Sequence, residues 1–169
     1  MNQFYKALTF VNEIFYEPNH LTIKAIREET QNSDYGAGVF ELNSKLVRFR
    51  VAKITPTKIG QFVAFWEKDL ANKNQAYSYE NATDLLVINT FTTSNHYFGQ
   101  FVFPKEVLAR QKILKTATTR GKMAIRVYPS WDTPTSQQAI ATQKWQLPYF
   151  VAINKDSLQT QELLKLYSN

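Results

Sequence analysis

The apolar positions of this chain follow two rhythms. At 3–16, Phe4, Ala7, Leu8, Val11, Ile14 and Phe15 recur at the spacing of an amphipathic helix, which Pro18-Asn19 closes. Asp34-Tyr35-Gly36-Ala37-Gly38 reads as a turn into a short strand at 39–41, and Asn43-Ser44 as a hairpin turn before a strand at 45–54 that Pro56 breaks. Ile59, Phe62, Val63, Trp66 and Leu70 then share one face of a helix predicted over 58–70. Strands follow at 84–91 and 97–103, either side of a Ser94-Asn95 turn, and Pro104 opens a short helix through 111. At 122–128, Lys122, Ala124, Arg126 and Tyr128 alternate with Met123, Ile125 and Val127, the two-residue period of a half-buried strand. A helix over 135–146, a strand at 149–153 and a helix over 156–167 complete the pattern. The expectation is one α/β (α+β) domain over 1–169, with a mixed sheet of about five strands flanked by helices. Gly-Gln-Phe-Val occurs at 60–63 and again at 99–102, once in a predicted helix and once in a predicted strand, and is read as coincidence.

Composition narrows the class. Twelve Phe, nine Tyr and three Trp argue for a packed core rather than disorder. The absence of cysteine removes disulfide frameworks, thiolate zinc sites and a cysteine nucleophile. His20 and His96, the only histidines, have no paired ligand spacing, and no Gly-x-Ser-x-Gly, P-loop or dinucleotide glycine pattern is present. With no long apolar run and no signal-peptide pattern, a soluble cytoplasmic protein without membrane insertion is expected.

Charge supplies the candidate chemistry. The net charge is +6, but it is unevenly spread: 42–66 carries Lys45, Arg48, Arg50, Lys53 and Lys58 with no acid, and 107–155 carries eight basic side chains against Asp132 alone. Such clustering is the footprint of a polyanion binder, whereas the bland alternative is two solvated surface elements. Lys and Arg neutralise phosphates, while nearby amides and rings contact sugars and bases. Arg50, Lys53, Lys58, Arg120, Lys122 and Arg126 are the candidate phosphate contacts, and Gln61, Tyr128, Trp131, Gln143 and Trp145 the candidate groove lining. Lys58 and Gln61 would open the predicted helix, where free backbone N–H groups favour anions. Trp131 and Trp145, each taken alone, read as core residues. On an ideal strand Arg48 and Arg50 face away from Lys53, so Lys53 and Lys58 rank first.

Five segments carry a family resemblance: Asp-Tyr-Gly-Ala at 34–37, Phe-Arg-Val-Ala-Lys-Ile-Thr-Pro-Thr-Lys-Ile-Gly-Gln-Phe-Val at 49–63, Gly-Gln-Phe-Val-Phe-Pro at 99–104, Arg-Val-Tyr-Pro-Ser-Trp at 126–131 and Thr-Gln-Lys-Trp-Gln at 142–146. Over about 15–152 the chain resembles the MepB-like family, small bacterial cytoplasmic proteins. The resemblance implies a fold similar to the restriction-endonuclease-like core of PD-(D/E)XK nucleases. It sets Asp34 where the first metal-binding acid stands and Val51-Ala52-Lys53 where the acid-x-Lys triplet stands. Val51 replaces the acid, so the resemblance implies a degenerate nuclease that binds nucleic acid without cleaving it.

The leading expectation is therefore a cytoplasmic protein that holds DNA or RNA by its backbone, with no cofactor. One alternative is a Mg²⁺-dependent nuclease that uses Asp34, Glu41 and Lys53. Another is a regulatory protein whose basic face meets an acidic protein partner.

Overall fold

The amino-terminal apolar stripe forms helix α1 (Gln3–Val11), with Phe4, Ala7, Leu8 and Val11 buried. It runs on through a π-helical turn at Asn12–Tyr16 and a 3-10 turn at Glu17–Asn19 that contains Pro18. The structure is a computed structural model that describes residues 3–94, 97–154 and 160–168. Its strands are β1 (Ile23–Glu28), β2 (Gly38–Leu42), β3 (Lys45–Val51), β4 (Lys53–Ile54), β5 (Gln61–Ala64), β6 (Glu67–Lys68), β7 (Asn74–Gln75), β8 (Leu85–Phe91), β9 (Tyr97–Pro104), β10 (Ala124–Val127) and β11 (Phe150–Asn154). The remaining helices are α2 (Lys105–Arg110), α3 (Gln137–Gln146) and α4 (Thr160–Tyr167).

Six strands form the expected mixed sheet, in the order β1-β2-β3-β8-β9-β11. Within this sheet only the β3–β8 pair is parallel, and its connection, instead of a helix, carries β4 and β5, which β10 joins from later in the chain to make a second sheet, β10-β5-β4. Both faces of the main sheet are covered, as a parallel pair requires. Val47, Phe49, Leu85 and Val87 face α1 and α4. Leu86, Ile88, Phe101 and Phe103 face the second sheet, α2 and α3 through Val63, Phe65, Leu108, Ile125 and Val127. Gly38 lets the Phe4 ring lie directly on β2, where a Cβ would collide with it. A buried polar chain also ties α4 to the sheet: Tyr167 donates to Gln100 Oε1 (2.7 Å), and Gln100 donates to Asn89 Oδ1 (2.7 Å). Among the described residues, no helix is long and apolar enough to cross a membrane.

Several expected elements stand. The opening helix, the Asn43-Ser44 hairpin, the strands near 84–91 and 97–103, the short helix after Pro104 and the helix ending at Gln146 are all present. The Ser94-Asn95 turn and the start of the last helix fall partly outside the described residues. The helix over 58–70 is corrected: β5 and β6 occupy it. Gly60 adopts φ +86°, and Ile59 and Leu70 are exposed, so the apparent helical stripe never faces a single core. A short apolar run is ambiguous between the two periods, and here the sheet decides. Both copies of Gly-Gln-Phe-Val therefore run into strands, and the helix-versus-strand contrast between them disappears.

The strand expected over 45–54 is also two elements. Ala52 still bonds β8 through Asn89 O (2.9 Å), but Lys53 belongs to the second sheet. Arg48 and Arg50 point into the space between the sheets and converge on Glu29. Arg50 Nη1 donates to Glu29 Oε1 at 2.8 Å, and Arg48 Nε donates to the same oxygen at 3.1 Å. Arg50 Nε also donates to Ala64 O of β5 (3.1 Å), which fixes the second sheet on the first.

Removing one member of a buried charge cluster strands the others. Glu29→Gln and Arg50→Leu should each lower unfolding free energy by about 3–5 kcal/mol in urea; a loss below about 1 kcal/mol would show that the cluster is dispensable. Burial alone would raise the Glu29 carboxyl, but Arg50 and Arg48 more than offset it and hold it below its ordinary value of 4.5. A depressed carboxyl contributes stability above its unfolded value and loses it as pH falls through the folded one. Stability should therefore drop below about pH 4.5, and that drop should be smaller in Glu29→Gln.

Candidate nucleic-acid interface

Alternation sorts the second sheet into two faces. Val63 pairs with Ile125, and both enter the core with Val127. In the next row Arg126, Phe62 and Lys53 lie side by side across β10, β5 and β4 and face outward. The Arg126 guanidinium lies 5.9 Å from the centre of the Phe62 ring. Tyr35 packs steeply inclined to Phe62, with centroids 6.0 Å apart, and Lys53 Nζ lies 4.9 Å over Tyr35. Cations and rings thus alternate across the sheet surface, an arrangement in which each ring's negative face attracts the charge beside it.

Arg126 is aimed by the turn that precedes β5. Its Nη1 donates to Thr55 Oγ1 (3.1 Å), Ile59 O (3.3 Å) and Gly60 O (3.2 Å), leaving Nε and Nη2 unengaged among the described residues. Gly60 is required twice here. Its φ is +86°, and a Cβ would press within 2.7 Å of the Tyr128 ring.

Helix α3 forms the opposite wall. Ser136 caps its start by accepting from Ala139 N (3.1 Å). Its far end is pinned to β10, the edge strand, by two glutamines. Gln146, fully buried, accepts from Tyr128 N (2.9 Å) and donates to Arg126 O (3.0 Å). Gln143 Nε2 donates to the carbonyls of Tyr128, Pro129 and Asp132 (3.3, 3.1 and 2.9 Å). Side-chain amides thus stand in for a further strand and satisfy backbone groups that an edge leaves open.

Between sheet and helix runs a groove of about 640 Å³, lined by Lys58, Phe62, Lys122, Arg126 and Tyr128 on one side and by Ser136, Gln138, Thr142 and Trp145 on the other. A depression of about 270 Å³ adjoins it, sharing Lys58, Arg126, Tyr128 and Ser136 and adding Thr57 and Thr135. No Asp or Glu lines either. Three cations therefore act on the groove with no carboxylate on its walls to offset them, and a concave, low-dielectric wall concentrates such a field.

The fold gathers Lys58, Lys122, Arg126, Tyr128 and Trp145 into this groove, with Lys53 one strand beyond Phe62. It disposes the other expected contacts differently. Arg50 is fully buried and spent on Glu29, Ala64 O and Asn32 Oδ1, so it presents nothing to a phosphate. Gln61 does not open a helix; it is buried in β5 and donates to Phe91 O (3.1 Å). Gln143 is committed to three carbonyls. Trp131 packs against Phe150 (5.7 Å) and Tyr97 (6.4 Å), outside the groove lining. Arg120 is exposed in the loop before β10 and lines neither hollow.

The nuclease-type triplet also changes meaning. Val51 ends β3 inside the core beneath α1, whereas Lys53 lies exposed on a different sheet, so they share no face. Asp34 is exposed in the 3-10 turn Ser33–Tyr35, and Glu41 is exposed on β2. Among the described residues, no three His, Asp or Glu side chains form a group able to hold a metal ion. Two residues that matter were not singled out from the sequence. The helical spacing over 58–70 places Phe62 in a helix core, although its Gly-Gln-Phe-Val context recurs in β9. Glu29, the partner of both buried arginines, has no local signal.

The sequence matches the MepB-like family model over residues 29–152. No curated protein matches it. A solved structure described as the crystal structure of MepB is 39% identical, superposes with a TM-score of 0.77, and covers 92% of this chain and 99% of its own.

The glutamine clasp is testable. Gln146→Met keeps the bulk of the side chain but strands Tyr128 N–H and Arg126 C=O, and should cost about 2–4 kcal/mol in urea unfolding. A cost near zero would mean that α3 holds its place without the clasp.

Proposed function

We propose that this chain, which belongs to the MepB-like family, binds nucleic acid by its phosphate backbone along the groove between the second sheet and α3. The observation that carries this reading is the convergence of Lys58, Lys122 and Arg126 on one concave surface whose lining holds no acid. Lys53 extends the same positive track across Phe62. Backbone contacts of this kind supply affinity and register without reading sequence. Asp34 and Glu41 are not gathered with a third ligand among the described residues, and the function we infer is binding without hydrolysis. It places the protein in the cytoplasm, where such a polyanion is available to it.

The test is fluorescence anisotropy with labelled DNA and RNA across a salt series. Each neutralised phosphate contributes about 0.7–0.9 to the log–log salt slope, so four contacts predict a slope of about −3. Lys58→Ala with Lys122→Ala should weaken binding to all sequences alike and flatten the slope by about 1.5. Lys165→Ala, on α4 behind the main sheet, should change neither. Absence of binding at about 50 mM salt would sink the reading.

A further inference from the structure

The sheet surface beside the groove also bears on which form of nucleic acid fits, an inference that rests on the phosphate-binding reading above. Phe62 stands on the outer face of β5, although the same strand buries Val63 in the core. Its ring is half-buried and borders the groove. It is also oriented: Tyr35 packs against it with centroids 6.0 Å apart and the ring planes at 62°. Lys53 and Arg126 are its direct cross-strand neighbours, one on each side. Adjacent strands are about 4.8 Å apart, so both cations reach the space beside a planar group resting on the ring.

We propose that the ligand is a single strand, with an unpaired base stacked on Phe62 and its flanking phosphates held by Lys53 and Arg126. A base in a duplex has both faces covered by its neighbours and offers only its edges and backbone, so a ring flanked by cations gains nothing from it. An unpaired base offers its face, and every base has one, so such a platform tolerates sequence. Trp145, partly exposed on the opposite wall, provides further ring surface along the groove for a following base. Basic side chains alone would serve a duplex equally well; the aromatic residue set between them distinguishes the two forms.

The experiment compares a labelled 12-nucleotide strand, as DNA and as RNA, with its duplex, on the full chain. Wild type should bind the single strand in at least one of the two chemistries about tenfold or more tighter than the duplex. Phe62→Leu should lose about 5- to 150-fold of single-strand affinity, the worth of one stacked base. Its salt slope should stay unchanged, because no phosphate contact is lost. Phe62→Tyr, which keeps the ring, should retain affinity. A strand with 2-aminopurine at its centre should be quenched on binding to wild type, a readout that needs no variant. Equal or tighter duplex binding, an unquenched 2-aminopurine, or an unaffected Phe62→Leu that melts like wild type would overturn this inference alone. Salt-dependent binding to neither form would overturn the phosphate-binding reading with it.

Discussion

A single carboxylate placed between two guanidinium groups fixes the geometry of this protein. Glu29 accepts from Arg48 and Arg50 in the layer between the two sheets, and Tyr77 donates its hydroxyl to it at 2.9 Å. Two positive charges face one negative charge, so the rest must be met by dipoles and π faces. Arg50 is met by the carbonyls of Ala64 and Phe49 and the amide oxygen of Asn32. Arg48 lies 3.7 Å over the ring of Tyr77. Burying charge is costly unless every donor finds a partner, and these partners come from four separate stretches of chain. The cluster is therefore a register pin: the second sheet can sit in only one place and still satisfy Arg50.

That pin determines what the surface displays. Once Ala64 is fixed, the alternation of β5 turns Phe62 outward and Val63 inward, and pairing brings Arg126 and Lys53 to either side of the ring. Gln146 and Gln143 then fasten α3 to the β10 edge and close the second wall. Each device satisfies buried backbone or side-chain polar groups, and the groove is what remains between them. Its positive character follows from a division of labour among the cations. Arg48 and Arg50 are engaged internally by Glu29 and by surrounding carbonyls and a ring face, while Lys58, Lys122 and Arg126 stay at the wall.

The buried arginines show why a basic segment cannot be read directly as a binding surface. Between Lys45 and Lys58 no acid appears in the sequence, and the stretch looks uniformly ready for an anion. Two of its cations are instead consumed by a glutamate that lies before the preceding hairpin. Similarly, the amides of Gln61 and Gln143 have the chemistry of base contacts and the positions of scaffold.

By itself the sequence determined the local elements whose patterns leave no competitor: α1 through its helical stripe, the β2–β3 hairpin through Asn43-Ser44, β10 through its strict alternation, and the mixed α/β class that these imply. It also determined that basic side chains outnumber acids around the second sheet. Tertiary structure decided whether 58–70 is helix or strand, because a short apolar run fits both periods and only pairing with β10 and β4 separates them. It likewise decided which cations reach solvent. Lys53 and Arg50 are close neighbours in sequence, yet the chain changes sheets between them. Burial and partnership are long-range properties, and no local pattern at Arg50 encodes the Glu29 that neutralises it.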